Sequence, residues 1–290
     1  MCVTQEALEK QAVAQVAYDE GDLMDSAPLE RNNSERGVPV DAAREDPAAA
    51  AAALSDAGVV RLDGALGTET CQTLLTHVNA KLDDALEAVR AGSDPESRHF
   101  GNVLVRANRY DLKLPLEPPV RAALSEALGA LGPTLGAFLG SDAELYELAA
   151  LVSDPGAPRQ PVHPDTGFSP SPVLASTFIA LQDIDETMGP TVWLPRTQTS
   201  AAHAQFNGEP GQRAALLRRS PRRLGLLSRG DLAIFDSRLL HAGSANSSGR
   251  RRVVFYFSFK AKDARRVPPG SIRDELRGAQ SLEALLASSN

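Results

Sequence analysis

The sequence predicts an α+β protein: a jelly roll or barrel of short strands, flanked by helices that mostly precede it. Three observations carry that prediction. Apolar side chains recur at helical intervals at Leu74, Leu75, Val78, Leu82, Leu86 and Val89. Beyond residue 143 the texture changes to short β-type runs punctuated by proline and glycine. Helices and strands do not alternate along the chain, which argues against a parallel α/β sheet.

Taken in order, the folded unit opens near residue 46. "DPAAAAAALSDAGVVRLDG" reads as a helix stopped by Gly58 and followed by a short strand. The amphipathic stretch that follows ends near Gly92. "PPVRAALSEALGALGPTLGAFLG" reads as a further helical stretch, broken near Gly132-Pro133. The strand candidates are then "LYELAALVS", "QPVHPD", "VLASTFIALQDI", "PTVWLP", "DLAIFD", "LLHAGS" and "RVVFYFSF". Residues 46–265 make up the domain. The tail, 266–290, reads as a helix docked on its outside.

Composition narrows the function classes. Of 290 residues, 42% are hydrophobic and 23% charged, the balance of an ordinary globular protein. No apolar run is expected to reach bilayer length, so membrane insertion is not expected. Cys2 and Cys71 give neither a disulfide framework nor zinc-ligand spacing, and a reducing, cytoplasmic setting is the expectation. The net charge of -7 is uneven: residues 1–56 hold twelve acids against four bases, leaving the rest near neutral. Residues 1–45 therefore read as an acidic arm, disordered or loosely attached, whose removal should leave the fold nearly intact. A near-neutral domain also disfavours nucleic-acid binding.

"QPVHPDTGF" carries the chemistry. In an extended segment residues i and i+2 share a face, roughly 7 Å apart, so His163 and Asp165 converge. Pro164 between them offers no N–H, which suits a strand end or rim. An imidazole and a carboxylate are two-thirds of an iron-binding facial triad. His241, in "GDLAIFDSRLLHAGSANSSGRRRVVFYFSF", would complete it. An arginine one hairpin later suits the far carboxylate of 2-oxoglutarate, which a guanidinium grips with two bonds. In "RRRVVFYFSF" the set Arg252, Val254, Tyr256 and Ser258 shares one face, with hydroxyls fit for a polar interior.

The order H-x-D, then "GPTVWLP", then "GDLAIFDSRLLHAGSANSSGRRR" resembles the phytanoyl-CoA dioxygenase (PhyH-like) family of Fe(II)/2-oxoglutarate oxygenases, over roughly residues 50 to 262. The resemblance implies a double-stranded β-helix core. It implies iron held by His163, Asp165 and His241, and 2-oxoglutarate paired with Arg252, although Arg250 and Arg251 leave that choice open. It further implies dioxygen as cosubstrate, stimulation by ascorbate, and oxidation of a small-molecule substrate, hydroxylation of an unactivated C–H bond first among the outcomes. A monomer or homodimer is expected. One departure is Gln198, in "PRTQ", where the family often has histidine.

Other residues admit blander readings. His203 reads as a solvated loop histidine, His77 as a helix residue and His99 as a turn residue. Trp193 reads as packing, with Thr191 beside it. Thr177 and Gln182 could each hold 2-oxoglutarate from "ASTFIALQD". The basic group Arg213, Arg218, Arg219, Arg222 and Arg223 reads as a solvated helix face more readily than as a lid for an anionic, acyl-type substrate. In "RANRYDLKLP" an edge strand and a cavity wall around Arg109, Tyr110 and Asp111 stand even. Two other function classes stay open: a cupin-like metal dioxygenase without 2-oxoglutarate, and a non-catalytic binding barrel.

Overall fold

A computed structural model describes residues 20, 23–25, 28–29, 38–39, 43 and 45–288. After a two-residue strand β1 (Val38–Pro39), helix α1 (Pro47–Ala57) starts where the Asp46 carboxylate caps the Ala49 amide at 2.9 Å and Pro47 presets the first turn. It stops at Gly58, whose φ of 77° needs glycine, and where a Cβ would sit 2.6 Å from the Leu239 side chain. Strand β2 (Val59–Asp63) follows, then α2 (Thr68–Ala91), which buries Cys71, Leu74, Val78 and Leu82 on one face. A helical turn α3 (Glu96–His99), strand β3 (Arg109–Lys113) and helix α4 (Pro118–Leu139) complete the preamble.

Helix α4 corrects two expectations. It runs unbroken through Pro133. A mid-helix proline costs about 3 kcal/mol, but Ala130, Leu131, Thr134 and Leu135 around it are all buried, and that packing holds the helix together. It is also, among the described residues, the one helix long and apolar enough to cross a membrane. Here that character serves the core, where Val120, Leu124, Leu128 and Leu131 join Leu74, Leu82 and the sheet residues Phe255 and Phe257.

The strands form two sheets. The larger has the order β1-β2-β8-β5-β10-β4-β3 and comprises β4 (Glu144–Ser153), β5 (Leu174–Ala180), β8 (Leu232–Asp236) and β10 (Arg252–Lys260) with the strands already named. Only its β1–β2 pairing is parallel. The smaller runs β7-β6-β9, from β7 (Arg223–Leu224), β6 (Thr191–Trp193) and β9 (His241–Gly243). The sheets stay open, so the expected jelly roll is a sandwich and not a closed barrel. One face of the large sheet packs on α1, α2 and α4. The other meets the small sheet through Trp193, Phe235 and Val254, an apolar plug beside the cavity. Helices α5 (Ser200–Phe206) and α6 (Pro210–Arg219) cover the small sheet from outside.

The described residues of the N-terminal segment do not stand apart as expected. Met24 is buried with Phe206 and Leu217, and Glu20 is buried against the Arg213 guanidinium and the Val162 amide. Asp25 accepts from Arg159 and Arg222, each at 3.1 Å. Glu20 and Asp25 thus answer Arg213 and Arg222 of the basic run in and after α6. Residues 1–19 lie outside the described residues. The tail forms a shorter helix than expected, α7 (Leu282–Ala287), with Leu282 and Leu285 buried. Its preceding loop is part of the domain, because Val267, Pro268, Pro269 and Ser271 line the cavity.

Candidate metal centre and active-site cavity

The segment read as "QPVHPD" pairs with β9 through a single bridge. The His163 amide donates to the His241 carbonyl, and the His241 amide to that of His163, both at 2.9 Å. Pro164 ends the pairing there. The Asp165 amide donates instead to the Ser237 carbonyl at 2.8 Å, in the turn that joins β8 to β9. That turn is rigidly built: Asp236, fully buried, takes both Nε and Nη2 of Arg238, and the Arg238 carbonyl takes the His203 imidazole Nε2 at 2.7 Å.

Two backbone pairings therefore fix three side chains in one place. His163 Nε2 and His241 Nε2 lie 3.9 and 3.5 Å from Asp165 Oδ1, and the ligand-type atoms of all three fall within 4.8 Å of one another. Each histidine turns its Nδ1 to a carbonyl two residues back, Pro161 at 2.9 Å and Leu239 at 3.0 Å. A carbonyl accepts only from N–H, so the proton sits on Nδ1 and the Nε2 lone pairs face the gap. Burial pushes the His163 imidazole down to about 4, with His241 beside it adding to the effect, and burial likewise takes His241 down to about 4. Desolvation raises the Asp165 carboxyl to about 6 against the pull of His163. Neutral imidazoles beside a carboxylate suit a divalent metal such as iron. His203, expected as a solvated loop residue, is instead a buried helix residue seating the Arg238 carbonyl, outside this cluster.

A cavity of about 500 Å³ opens on the triad. Thr191 and Gly243 of the small sheet line it, as do Asp111, Glu147, Ser176, Phe178 and Tyr256 of the large one. Trp193 stays in the apolar plug, as read, while Thr191 reaches the wall. Neither Thr177 nor Gln182 does. Thr177 has the opposite parity to Ser176 and Phe178, and Gln182 bonds the backbone of Arg251 and Val253. Gln198 is a strut that donates to the Ser55 and Asp56 carbonyls at the end of α1. The basic run is not a lid: Arg213 pairs with Glu20, Arg222 with Asp25, and Arg223 donates to the Val59 carbonyl.

The three arginines of "RRR" separate cleanly. Arg250 is exposed and paired with Asp185, and Arg251 is paired with Asp154. Arg252 is 1% exposed, on the inward face of β10, where Ser153 separates it from Arg109 of β3 in register. Its Nη1 donates to the Gly189 carbonyl and its Nη2 to Ser153 Oγ at 3.1 Å. Gly189 has φ 73°, and a Cβ there would lie 2.6 Å from the Ser244 carbonyl oxygen, so only glycine allows this approach. Arg109 donates to the carbonyls of Val105 and Pro158. Burial lowers Arg252 to about 9, with the field of Arg109 adding to it, and burial lowers Arg109 to about 10. No carboxylate is paired with either among the described residues. Two residues along the same face of β4 from Ser153, Leu151 lines the cavity, and the field of Arg109 reaches His163.

The sequence leaves the segment of Asp111 even between an edge strand and a cavity wall, and the structure gives Asp111 both places; Glu147 and Ser271 were not singled out. The signal available was a lone glutamate inside the otherwise apolar "LYELAALVS", and the parity that puts Asp111 on the face of Arg109.

The model of the phytanoyl-CoA dioxygenase (PhyH) family matches residues 54–254. The chain belongs to the phytanoyl-CoA dioxygenase family. Solved structures that share this fold include the following three. The epimerase SnoN, in complex with Fe3+, alpha ketoglutarate and nogalamycin RO, is 20% identical with a TM-score of 0.56, over 77% of this PhyH chain and 88% of that one. The non-heme alpha ketoglutarate dependent carbocyclase SnoK from nogalamycin biosynthesis is 19% identical with a TM-score of 0.56, over 77% and 86%. AviO1 from Streptomyces viridochromogenes Tue57 is 18% identical with a TM-score of 0.56, over 77% and 98%. At such identities the likeness is one of fold. No curated protein sequence matches this PhyH chain.

Proposed function

We propose that this PhyH-family chain is an iron(II)- and 2-oxoglutarate-dependent dioxygenase that hydroxylates a C–H bond of a small-molecule substrate. The observation that carries the reading is the pairing of two sites. A His-Asp-His cluster lining the cavity has both Nε2 lone pairs free to bind a metal, and the buried guanidiniums of Arg252 and Arg109 have no carboxylate paired with them among the described residues. Buried guanidiniums that meet only neutral acceptors are costly, and a dicarboxylate cosubstrate relieves the cost. A metal dioxygenase without 2-oxoglutarate would have no use for them.

His163, Asp165 and His241 hold the metal, and the Pro161 and Leu239 carbonyls keep the two imidazoles in the coordinating tautomer. Arg252, with Arg109 beside it, takes the far carboxylate of 2-oxoglutarate. Bound together, iron and 2-oxoglutarate supply an oxidant able to take hydrogen from an unactivated C–H bond, consuming dioxygen and releasing succinate and carbon dioxide. Leu151, Phe178 and Leu174 give the cavity apolar walls that hold the substrate's carbon skeleton and keep water from the centre. The epimerase and carbocyclase named among the neighbours show that this fold hosts outcomes other than hydroxylation. The single described cysteine, Cys71, is a buried free thiol, which fits a reducing, cytoplasmic setting.

The test has two readouts. Without oxygen, adding Fe(II) and 2-oxoglutarate should produce a visible charge-transfer band that His163→Ala, Asp165→Ala and His241→Ala each lose. With oxygen, the parent should release succinate and these variants should not, whereas His203→Ala should keep most of both signals if it folds. A folded His203→Ala as inactive as His241→Ala would move the third ligand and sink the assignment.

A further inference from the structure

The cavity wall has a one-sided charge. Among its described lining residues are three carboxylates, Asp111, Glu147 and Asp165, and no lysine or arginine. Asp165 belongs to the triad, which leaves two acids with no assigned work. Neither is in an ion pair among the described residues. The nearest cations along β3 are turned away, Arg109 to the carbonyls of Val105 and Pro158, and Lys113 to that of Ser97. Asp111 is buried and Glu147 half-buried, and a carboxylate drawn out of water without a cation is costly, so such groups are retained where something answers them.

The two acids are held in place by neutral donors alone. Tyr256 Oη donates to Asp111 Oδ1 at 2.7 Å, and Ser271 Oγ donates to Asp111 Oδ2. Ser258 Oγ donates to Glu147 Oε2 at 2.5 Å, and the Ser271 amide to Glu147 Oε1 at 3.3 Å. Ser271 therefore ties both carboxylates together, one by its hydroxyl and one by its backbone. Each oxygen keeps a further lone pair, since a carboxylate accepts about four hydrogen bonds. Around them lie Leu104, Leu151, Leu174 and Phe178, an apolar surface suited to a hydrocarbon body. The anionic substrate that the basic run first suggested has no partner on this wall: none of those arginines lines the cavity, and Arg213 and Arg222 pair with Glu20 and Asp25.

Resting on the reading of this cavity as the active site, we propose that its substrate carries a protonated amine, which Asp111 and Glu147 hold while the apolar remainder of the molecule lies against Phe178 and Leu151 near the metal. The two acids are thus specificity-determining residues on the large sheet, opposite the metal ligands on the small one. Charge-assisted hydrogen bonds from one ammonium to both carboxylates would hold the two acids in their ionised form.

Three probes of equal size test this on the full-length protein: benzylamine, benzyl alcohol and benzoate. With Mn(II) and saturating 2-oxoglutarate bound, so that no probe can take the cosubstrate's place, paramagnetic broadening of each probe's NMR lines reports binding close to the metal. Benzylamine should bind at least about tenfold more tightly than benzyl alcohol, the scale of one lost charge-assisted hydrogen bond, and benzoate should not compete with it. In Asp111→Asn/Glu147→Gln, both near-isosteric changes, the preference for the amine should vanish while alcohol binding persists. Equal binding of alcohol and amine would mean that the acids serve as hydroxyl acceptors or share a proton, and would overturn the proposal. So would benzoate matching benzylamine, or an amine preference that survives in the double variant. The parent comparison needs no variant to fold. If Mn(II) does not bind, the metal reading fails on its own, and saturation transfer on the metal-free protein still decides the amine preference.

Discussion

Replacing Asp236 by alanine should be among the most damaging single changes outside the metal ligands. The side chain is fully buried at the end of β8. Its Oδ1 accepts from the Arg238 amide and from Arg238 Nε, both at 2.9 Å, and its Oδ2 accepts from Arg238 Nη2 at 2.5 Å. Removing it leaves a guanidinium that is 8% exposed with only the Ser169 carbonyl as a partner. Breaking a buried pair on one side costs about 3–5 kcal/mol. For a chain of this size that corresponds to a fall in Tm of roughly 5–8 °C. The loss should reach the metal site, because this turn carries the Ser237 carbonyl that holds the Asp165 amide and leads directly into His241. Thermal unfolding followed by circular dichroism measures the first effect, and titration with Mn(II) followed by electron paramagnetic resonance the second. The double variant Asp236→Ala/Arg238→Leu leaves no bare charge and should be more stable than Asp236→Ala alone. A single variant within about 1 kcal/mol of the parent, or a double variant less stable than the single one, would refute the reasoning.

Three further outcomes are expected. Deleting residues 1–40 removes Glu20, Met24 and Asp25; it should cost about 2–4 kcal/mol from lost burial and ion pairs and lower Tm by several degrees, and an unchanged Tm would show that these contacts carry no stability. Arg252→Lys should weaken anaerobic 2-oxoglutarate binding at least about tenfold by the charge-transfer titration, since an ammonium lacks the guanidinium's fork, while Arg250→Lys, paired at the surface with Asp185, should leave it unchanged. The third concerns pH. Burial raises the Asp111 carboxyl from 3.8 to about 7, so between those values the folded protein keeps a proton that the unfolded chain has lost. Stability from this group therefore falls as pH rises through that window, by on the order of 4 kcal/mol in total, and is flat above it. Asp111→Asn should gain on the parent in metal-free unfolding from pH 4 to 7; parallel stability curves would refute the burial of an uncompensated charge.

Much of the metal site was legible because its spacing is local. His163 and Asp165 needed only strand parity, and the alternation in "RRRVVFYFSF" set Arg252 apart from Arg251 before any contact was known. What stayed hidden depends on partners far along the chain. His203 lies in a stretch that looks solvated, and only the Arg238 carbonyl, 35 residues on, explains its burial. The arm has too few apolar residues to read as packed; Arg213 and Arg222 hold it, at a separation no local pattern reports. Pro133 is a helix breaker by itself, and α4 survives it through core contacts. Asp111 shows its inward face only once β3 is known to pair with β4, and Glu147 only once the tail loop brings Ser271 to it.

The division of labour between the sheets bears on how such an enzyme could be re-aimed. His163 and His241 belong to a short ladder on one wall, whereas Asp111, Glu147, Ser176, Phe178 and Tyr256 project from the other. The two walls meet through an apolar plug and share no described hydrogen bond between the triad and these five side chains. A combinatorial library confined to those five positions would sample new binding partners while leaving the coordination sphere as it stands. In this chain the candidate metal ligands and the side chains proposed to choose the substrate stand on separate surfaces, so that one set could drift while the other is held.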